Sequence, residues 1–109
     1  MQNQMNRALS LLSIAEKAGK VSSGGFLCEK SIAEGIAHLV LIAEDASANT
    51  KKKFTDKCTF YNLPIYEISD KEALGHRIGK QDRTVISVND EGLAKQIMLK
   101  LDAMKEMEV

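Results

Sequence analysis

The sequence predicts an α/β fold, a three-layer α-β-α sandwich around a small mixed four-stranded sheet. Apolar residues recur at helical spacing in several segments, and short apolar or β-branched runs separate those segments. No linker, repeat or low-complexity stretch interrupts the alternation. The run Leu39-Val40-Leu41-Ile42-Ala43 is apolar without alternation, which marks a strand covered on both faces. At 109 residues and 12.0 kDa the chain is expected to form a single domain, residues 1–109, on one core.

Taken in order, Met5, Leu9 and Leu12, with Ala8 and Ala15, form the stripe of a first helix from about Asn6 to Ala18. Gly19 is placed to end it in a left-handed turn. Lys20-Val21 leaves room for a short strand. Ser22-Ser23-Gly24-Gly25 then steps into a second helix. Counting about 100° per residue puts Cys28, Ser31, Ile32 and Gly35 on one face and Phe26, Lys30 and Ala33 on another. After the Leu39–Ala43 strand, Ser47 is an N-cap for a third helix carrying Phe54, Cys58 and Tyr61 and stopping before Pro64. Pro64-Ile65-Tyr66-Glu67-Ile68 begins with proline and suits an outer strand. Ser69 or Asp70 caps a short helix from Lys71 to about Ile78, which Gly79 terminates. Lys80-Gln81-Asp82-Arg83 is a polar loop leading into the strand Thr84–Val88. Asn89 or Asp90 caps a final helix whose stripe includes Leu93, Ile97, Leu101 and Met104.

Fifteen basic and fifteen acidic side chains cancel, and residues 1–88 hold twelve basic and ten acidic. The whole-molecule field gives no support to non-specific polyanion binding, so a nucleic-acid role must rest on a local patch and on shape. No G-x-x-x-x-G-K-[ST] loop is present, and Gly24-Gly25 lacks the third glycine of a dinucleotide fingerprint, so no nucleotide cofactor is expected. Glu44-Asp45 ends a central strand, where an α/β enzyme could hold a divalent metal. Acids just before a helix also favour its positive end, and without a further acid cluster this structural reading stands. His38 and His76 each lack a second ligand at fixed spacing. Cys28 and Cys58 show neither metal-ligand nor disulfide-framework spacing and are expected to be buried, reduced thiols. No metal site and no catalytic set follow. Met1-Gln2-Asn3-Gln4 lacks a basic head before an apolar run, and no stretch nears the ~20 apolar residues of a membrane span. The expectation is a soluble, cytoplasmic protein.

The chemistry concentrates where the second helix begins. Free N–H groups and the positive end of the helix dipole favour an anion there, and Lys30 adds a cation. Phe26 lies off the apolar stripe, which fits either a hydrophobic staple or a stacking or interface role, and Leu27 shares the alternatives. Lys51-Lys52-Lys53 reads as a solvated helix face and at most a peripheral phosphate contact.

These residues resemble a known family. The matching stretches are Leu11-Leu12-Ser13-Ile14-Ala15-Glu16-Lys17-Ala18-Gly19-Lys20, Ser23-Gly24, Lys30, Leu39 through Ser47, Asn49-Thr50-Lys51-Lys52-Lys53, Thr55-Asp56-Lys57-Cys58 and Leu74-Gly75-His76-Arg77-Ile78-Gly79-Lys80. Over nearly its whole length the chain is similar to the L-seven-Ae family of kink-turn-binding ribosomal proteins, and most to its small bacterial YlxQ-type members. The resemblance implies an α-β-α sandwich in which the N-terminus of the second helix enters the distorted groove of a kink-turn. A later loop, matching Gly79 to Arg83, contacts the neighbouring nucleotides. Gly24, Gly25 and Lys30 fall on family positions that approach RNA. Phe26 and Leu27 stand where strong binders place an Asn-Glu pair, and Lys80-Gln81-Asp82-Arg83 replaces apolar residues of their loop.

The functional expectation is a non-enzymatic RNA-binding protein of ribosomal type that recognises bent or bulged RNA by shape. Its partner is structured RNA, with ribosomal RNA a candidate. The expected contacts are Lys20, Gly24, Gly25, Phe26, Lys30, Lys80, Gln81 and Arg83, with no catalytic residue, metal, cofactor, small-molecule substrate or membrane. The alternative is a protein-interaction module using the same fold through the exposed Phe26-Leu27 edge.

Overall fold

The computed structural model describes the backbone of residues 2–107 and the side chains of 4–106. Met1, Glu108 and Val109, which the expected domain 1–109 includes, lie outside the described residues. The elements are α1 (Gln2–Lys17), β1 (Val21–Ser23), α2 (Gly25–Ala33), β2 (Leu39–Ile42), α3 (Ala48–Tyr61), β3 (Ile65–Glu67), α4 (Lys71–Arg77), β4 (Val85–Val88) and α5 (Glu91–Met107). The strands form one sheet in the order β1-β4-β2-β3. β4 is antiparallel to both β1 and β2, and β2 is parallel to β3, which gives the mixed four-stranded sheet expected.

The apolar run read as a two-faced strand is one. Leu39 and Leu41 of β2 join α1, α4 and α5 in one core, while Val40 and Ile42 join α2 and α3 in the other. β4 alternates likewise, with Ile86 and Val88 on the first side and Val85 on the second. All four β2 side chains are buried, each stabilising the fold by roughly 1.5–3 kcal/mol through removal of apolar surface from water. The first core takes Ala8, Leu9, Leu12 and Ala15 from α1 and Ile97 and Leu101 from α5, as expected, together with Ala94, which lay outside the expected stripe; Met5, Leu93 and Met104 pack against it only partly buried.

Local chemistry sets the boundaries. Gly19 and Gly79 adopt φ of 72° and 70°, the left-handed turns that end α1 and follow α4. Ser47 caps α3, its Oγ accepting from Thr50 N–H at 3.1 Å. Of the paired candidates, Asp70 caps α4 and Asp90 caps α5, accepting from Ala73 N–H and Leu93 N–H, each at 2.8 Å.

Four expectations need correction. α1 begins at Gln2 rather than Asn6, so the polar first turn belongs to the helix. The first strand is Val21–Ser23, because Lys20 and Asn89 close the ladder and Ser23 still pairs with Ile86. Gly35 is exposed and lies beyond α2, which stops at Ala33 as the chain turns with Gly35 at φ 77°. Tyr61 is 43% exposed because it falls in the last turn of α3, past the sheet; only Phe54 and Cys58 of that stripe are buried.

Candidate nucleic-acid interface

The topology gathers four segments at one end of the sheet. β1, β2 and β3 run in the same direction, so α2, α3 and α4, which follow them, all begin there. β4 runs the other way, which brings the loop before it to the same place. Backbone hydrogen bonds join the pieces: Gly24 N–H donates to the Val85 carbonyl at 3.0 Å, Ala43 N–H to Thr84 at 2.8 Å, and Glu44 N–H to Ser69 at 2.9 Å.

Among the described residues, side chains satisfy only two of these three helix starts. Ser47 caps α3, and α4 is capped twice, by Asp70 and by Asp45, whose Oδ1 accepts from Lys71 N–H at 2.9 Å. Asp45 therefore supports a helix N-terminus as the sequence suggested, but that of α4 rather than of the helix following it. α2 starts on Gly24, whose φ of 87° suits glycine and which offers no side chain. The N–H groups of Gly25, Phe26 and Leu27 donate to no acceptor among the described residues. Uncommitted donors at the positive end of a helix can receive phosphate oxygens.

A partly buried polar network holds α2 in place. The Ser22 and Ser31 hydroxyls are 2.7 Å apart, Asn89 Nδ2 donates to Ser22 Oγ at 3.0 Å, and Ser87 Oγ donates to Asn89 Oδ1 at 3.1 Å. Cys28 Sγ donates to the Ser22 carbonyl at 3.4 Å. These groups tie α2 to β1 and β4 and give the buried Ser31 and Ser87 hydroxyls the partners that buried polar atoms require. Burial pushes the Cys28 thiol up to about 12 and the Cys58 thiol up to about 11. Both stay protonated near neutrality, which leaves them packing groups rather than nucleophiles.

The network turns the other side of α2 outward. Phe26 is 80% exposed and Leu27 49%, so neither acts as a staple. Lys30 is exposed one turn beyond Phe26 and has no ion-pair partner among the described residues. The lysine run of α3 differs. Lys51 pairs with Glu67 at 3.1 Å, Lys52 with Asp56 at 2.8 Å and Lys53 with Glu29 at 2.8 Å, and Lys51 is half-buried. Lys57 reaches Glu29 at 3.4 Å, and the hydrogen bond from Lys53, helped by Lys57, holds the Glu29 carboxyl below its ordinary value.

The loop after α4 completes the edge. Lys80, Gln81 and Asp82 are exposed; Lys80 N–H donates to the Gly75 carbonyl at 2.9 Å, and Arg83 N–H to Lys71 at 2.9 Å. The loop lies so close to α4 that a Cβ on Gly75 would collide with the Gln81 backbone. Between them is an open groove of about 790 Å³, where Asp70, Glu72 and Asp82 stand beside His76, Lys80 and Arg83. Of the expected contacts, Gly24, Gly25, Phe26, Gln81 and Arg83 come together at this end, with Lys30 and Lys80 flanking. Lys20 does not join them. It sits at the far end of β1, its carbonyl accepting from Asn89 N–H, about 13 Å from Gly24 at strand rise. Sequence reasoning missed Gly75 and Ser23. A glycine inside a short helix, where it is unfavourable by about 1 kcal/mol, was the available signal for Gly75.

An α-β-α sandwich with a glycine step, an uncapped second helix and a polar loop beside it is a small domain with one phosphate-compatible edge. The chain belongs to the ribosomal protein L7Ae/L30e/S12e/Gadd45 family, whose model matches residues 6–98. It is a bacterial YlxQ-type member. The RNA-binding protein YlxQ of Bacillus subtilis is 46% identical over 92 residues, covering 84% of this chain and 92% of that protein. The protein of the same name from Enterococcus faecium is 38% identical over 96 residues, 86% of this chain and 92% of that protein. Among solved structures, the Giardia lamblia 15.5kD RNA binding protein shares the fold, with a TM-score of 0.77 at 20% identity over 95% of this chain and 89% of that one.

Proposed function

We propose that this chain is a non-enzymatic RNA-binding protein of ribosomal type that recognises structured, kink-turn-like RNA through the N-terminus of α2 and the 79–83 loop. The observation that carries this reading is the set of uncommitted N–H groups at Gly25, Phe26 and Leu27 beside that loop. The RNA-binding names of the relatives from Bacillus subtilis and Enterococcus faecium support it. Main-chain amides and Lys30 receive phosphates, Lys80 adds a second cation, and Phe26 offers a face for a base. The polar pair used against paired bases is absent, so discrimination comes from RNA shape rather than base edges. The setting that fits is the cytoplasm, where two free thiols stay reduced.

The test is a salt titration of binding to a kink-turn RNA and to a straight duplex of equal length. Preference for the kink-turn with an affinity that falls as salt rises is expected. Equal affinity for the two removes shape recognition. A second reading, docking of a protein partner on the Phe26-Leu27 edge, draws on two adjacent exposed apolar side chains. A salt-insensitive protein complex abolished by Phe26→Ala would favour it over RNA.

A further inference from the structure

Arg83 lies where the two halves of the proposed interface meet, and three of its donors are already used within the protein. Its main-chain N–H donates to the Lys71 carbonyl at the start of α4. Nε donates to the Ser23 hydroxyl at 3.3 Å and Nη1 to the Asp82 carbonyl at 2.8 Å. Ser23 is the last residue of β1 and directly precedes Gly24, on which α2 starts. The guanidinium thus spans from the loop to the glycine step. The loop is also held from its other side, at Gly75, by close backbone packing and the Lys80 N–H bond.

We infer that Arg83 is a positioning residue, setting the distance between the 79–83 loop and the N-terminus of α2, and is not itself a phosphate contact. The inference rests on the RNA-binding reading and gives Arg83 a part different from the direct contact expected from the sequence. A planar guanidinium can donate from separate nitrogens to acceptors on two segments at once, whereas the lysine ammonium is a single point charge on a flexible stem. Lysine therefore keeps the charge but loses the bridge. A loop fixed before binding also avoids the ordering cost that a mobile loop would incur on RNA. Shape recognition needs that fixed spacing, because two contact points measure a bend only if their separation is constant.

Arg83→Ala, Arg83→Lys and Ser23→Ala in the full chain separate a bridge from a charge. Without RNA, the amide order parameters of Lys80, Gln81 and Asp82 are expected to fall from about 0.85 towards 0.6 in both Arg83 variants, with a smaller fall in Ser23→Ala. Unchanged order in both Arg83 variants overturns the inference. With kink-turn RNA, both Arg83 variants should lose about tenfold in affinity while keeping the wild-type slope of log K against log salt. A slope reduced by about one unit in Arg83→Ala and restored in Arg83→Lys would mean direct phosphate contact and also overturn it. If the wild type ignores RNA, the function proposed above fails, and the order parameters still decide whether Arg83 sets the loop.

Discussion

Replacing Gly75 with alanine puts a methyl group where the Gln81 carbonyl already lies. Two effects oppose each other. Alanine is favoured over glycine in a helix by about 1 kcal/mol, whereas forcing an extra carbon into a filled space costs about 1–3 kcal/mol. The obstacle is backbone, with Arg83 N also within 3.2 Å, so no side chain can rotate away and the loop itself must move. Moving it weakens the Lys80 N–H to Gly75 and Arg83 N–H to Lys71 bonds, each contributing roughly 1 kcal/mol. The net expectation is a loss of about 1–2 kcal/mol, or about 5–15 °C in Tm for a domain of this size. Gly92→Ala is the matched control, since its Cβ would meet only Asp90 Oδ2 at an ordinary 3.5 Å. It should raise stability by up to about 1 kcal/mol through helix propensity alone. Thermal unfolding of both variants by circular dichroism provides the measurement. If Gly75→Ala is as stable as the wild type, the loop does not bear on α4 and the reasoning is wrong.

Lys30→Ala should lower the salt slope of kink-turn binding by about one unit, while Phe26→Ala should lower affinity by roughly 1–3 kcal/mol and leave the slope alone. Unaltered binding by both would remove this face as the site. Asp70→Ala and Asp90→Ala should each cost about 0.5–2 kcal/mol in urea unfolding, since each removes a side-chain cap; no loss at either position would refute the capping assignment. The thiols give an alkaline limit. Their pKa values in the fold lie above the ordinary 9.0, so their contribution is complete below pH 9 and declines as pH rises towards about 11 for Cys58 and about 12 for Cys28. A Cys28→Ala, Cys58→Ala chain should show a shallower fall in urea midpoint between pH 9 and 10.5 than the wild type, and an identical fall would count against thiol burial.

The elements were legible because their signals are local. Helical stripes, Ser47, Asp70, Pro64 and the turns at Gly19 and Gly79 act within a few residues of themselves, and β2 declared its two-sided burial by its composition. The candidate site was legible only in part, since its geometry depends on pairs far apart in the chain. Asp45 and Lys71 are 26 residues apart, and Ser23 and Arg83 are 60 apart. No periodicity links such pairs, which is why the sequence assigns Asp45 to the next helix and shows no partner for Arg83. The lysine run is the largely solvated face expected, Lys52 and Lys53 being exposed, but its ion pairs were hidden for the same reason. Its acids, Glu67 and Glu29, come from β3 and α2, and only Lys52 has its partner on the same helix.

A chain of zero net charge can still present a local attraction for phosphate, and here the choice lies in which groups the fold leaves unmatched. Three helices start at one end of the sheet, so three sets of positive dipole ends converge there. Side-chain oxygens occupy two of them, and ion pairs occupy the nearby lysines of α3. Among the described residues, what remains is the start of α2, with three uncommitted N–H groups, an exposed aromatic ring and Lys30. Such a site depends on geometry more than on charge, because dipole ends and amides act within about one turn. Adding lysines elsewhere on the surface should therefore raise binding to straight and bent RNA alike, lowering the preference between them. Placing a carboxylate in the first turn of α2 instead, by Gly25→Asp, whose Cβ would meet nothing within 4 Å, should lower the kink-turn affinity more than the duplex affinity. It adds a carboxylate where the phosphate would lie while changing the distant field by only one charge. Equal losses on both RNAs in a paired titration would show that long-range charge, and not the α2 terminus, governs binding.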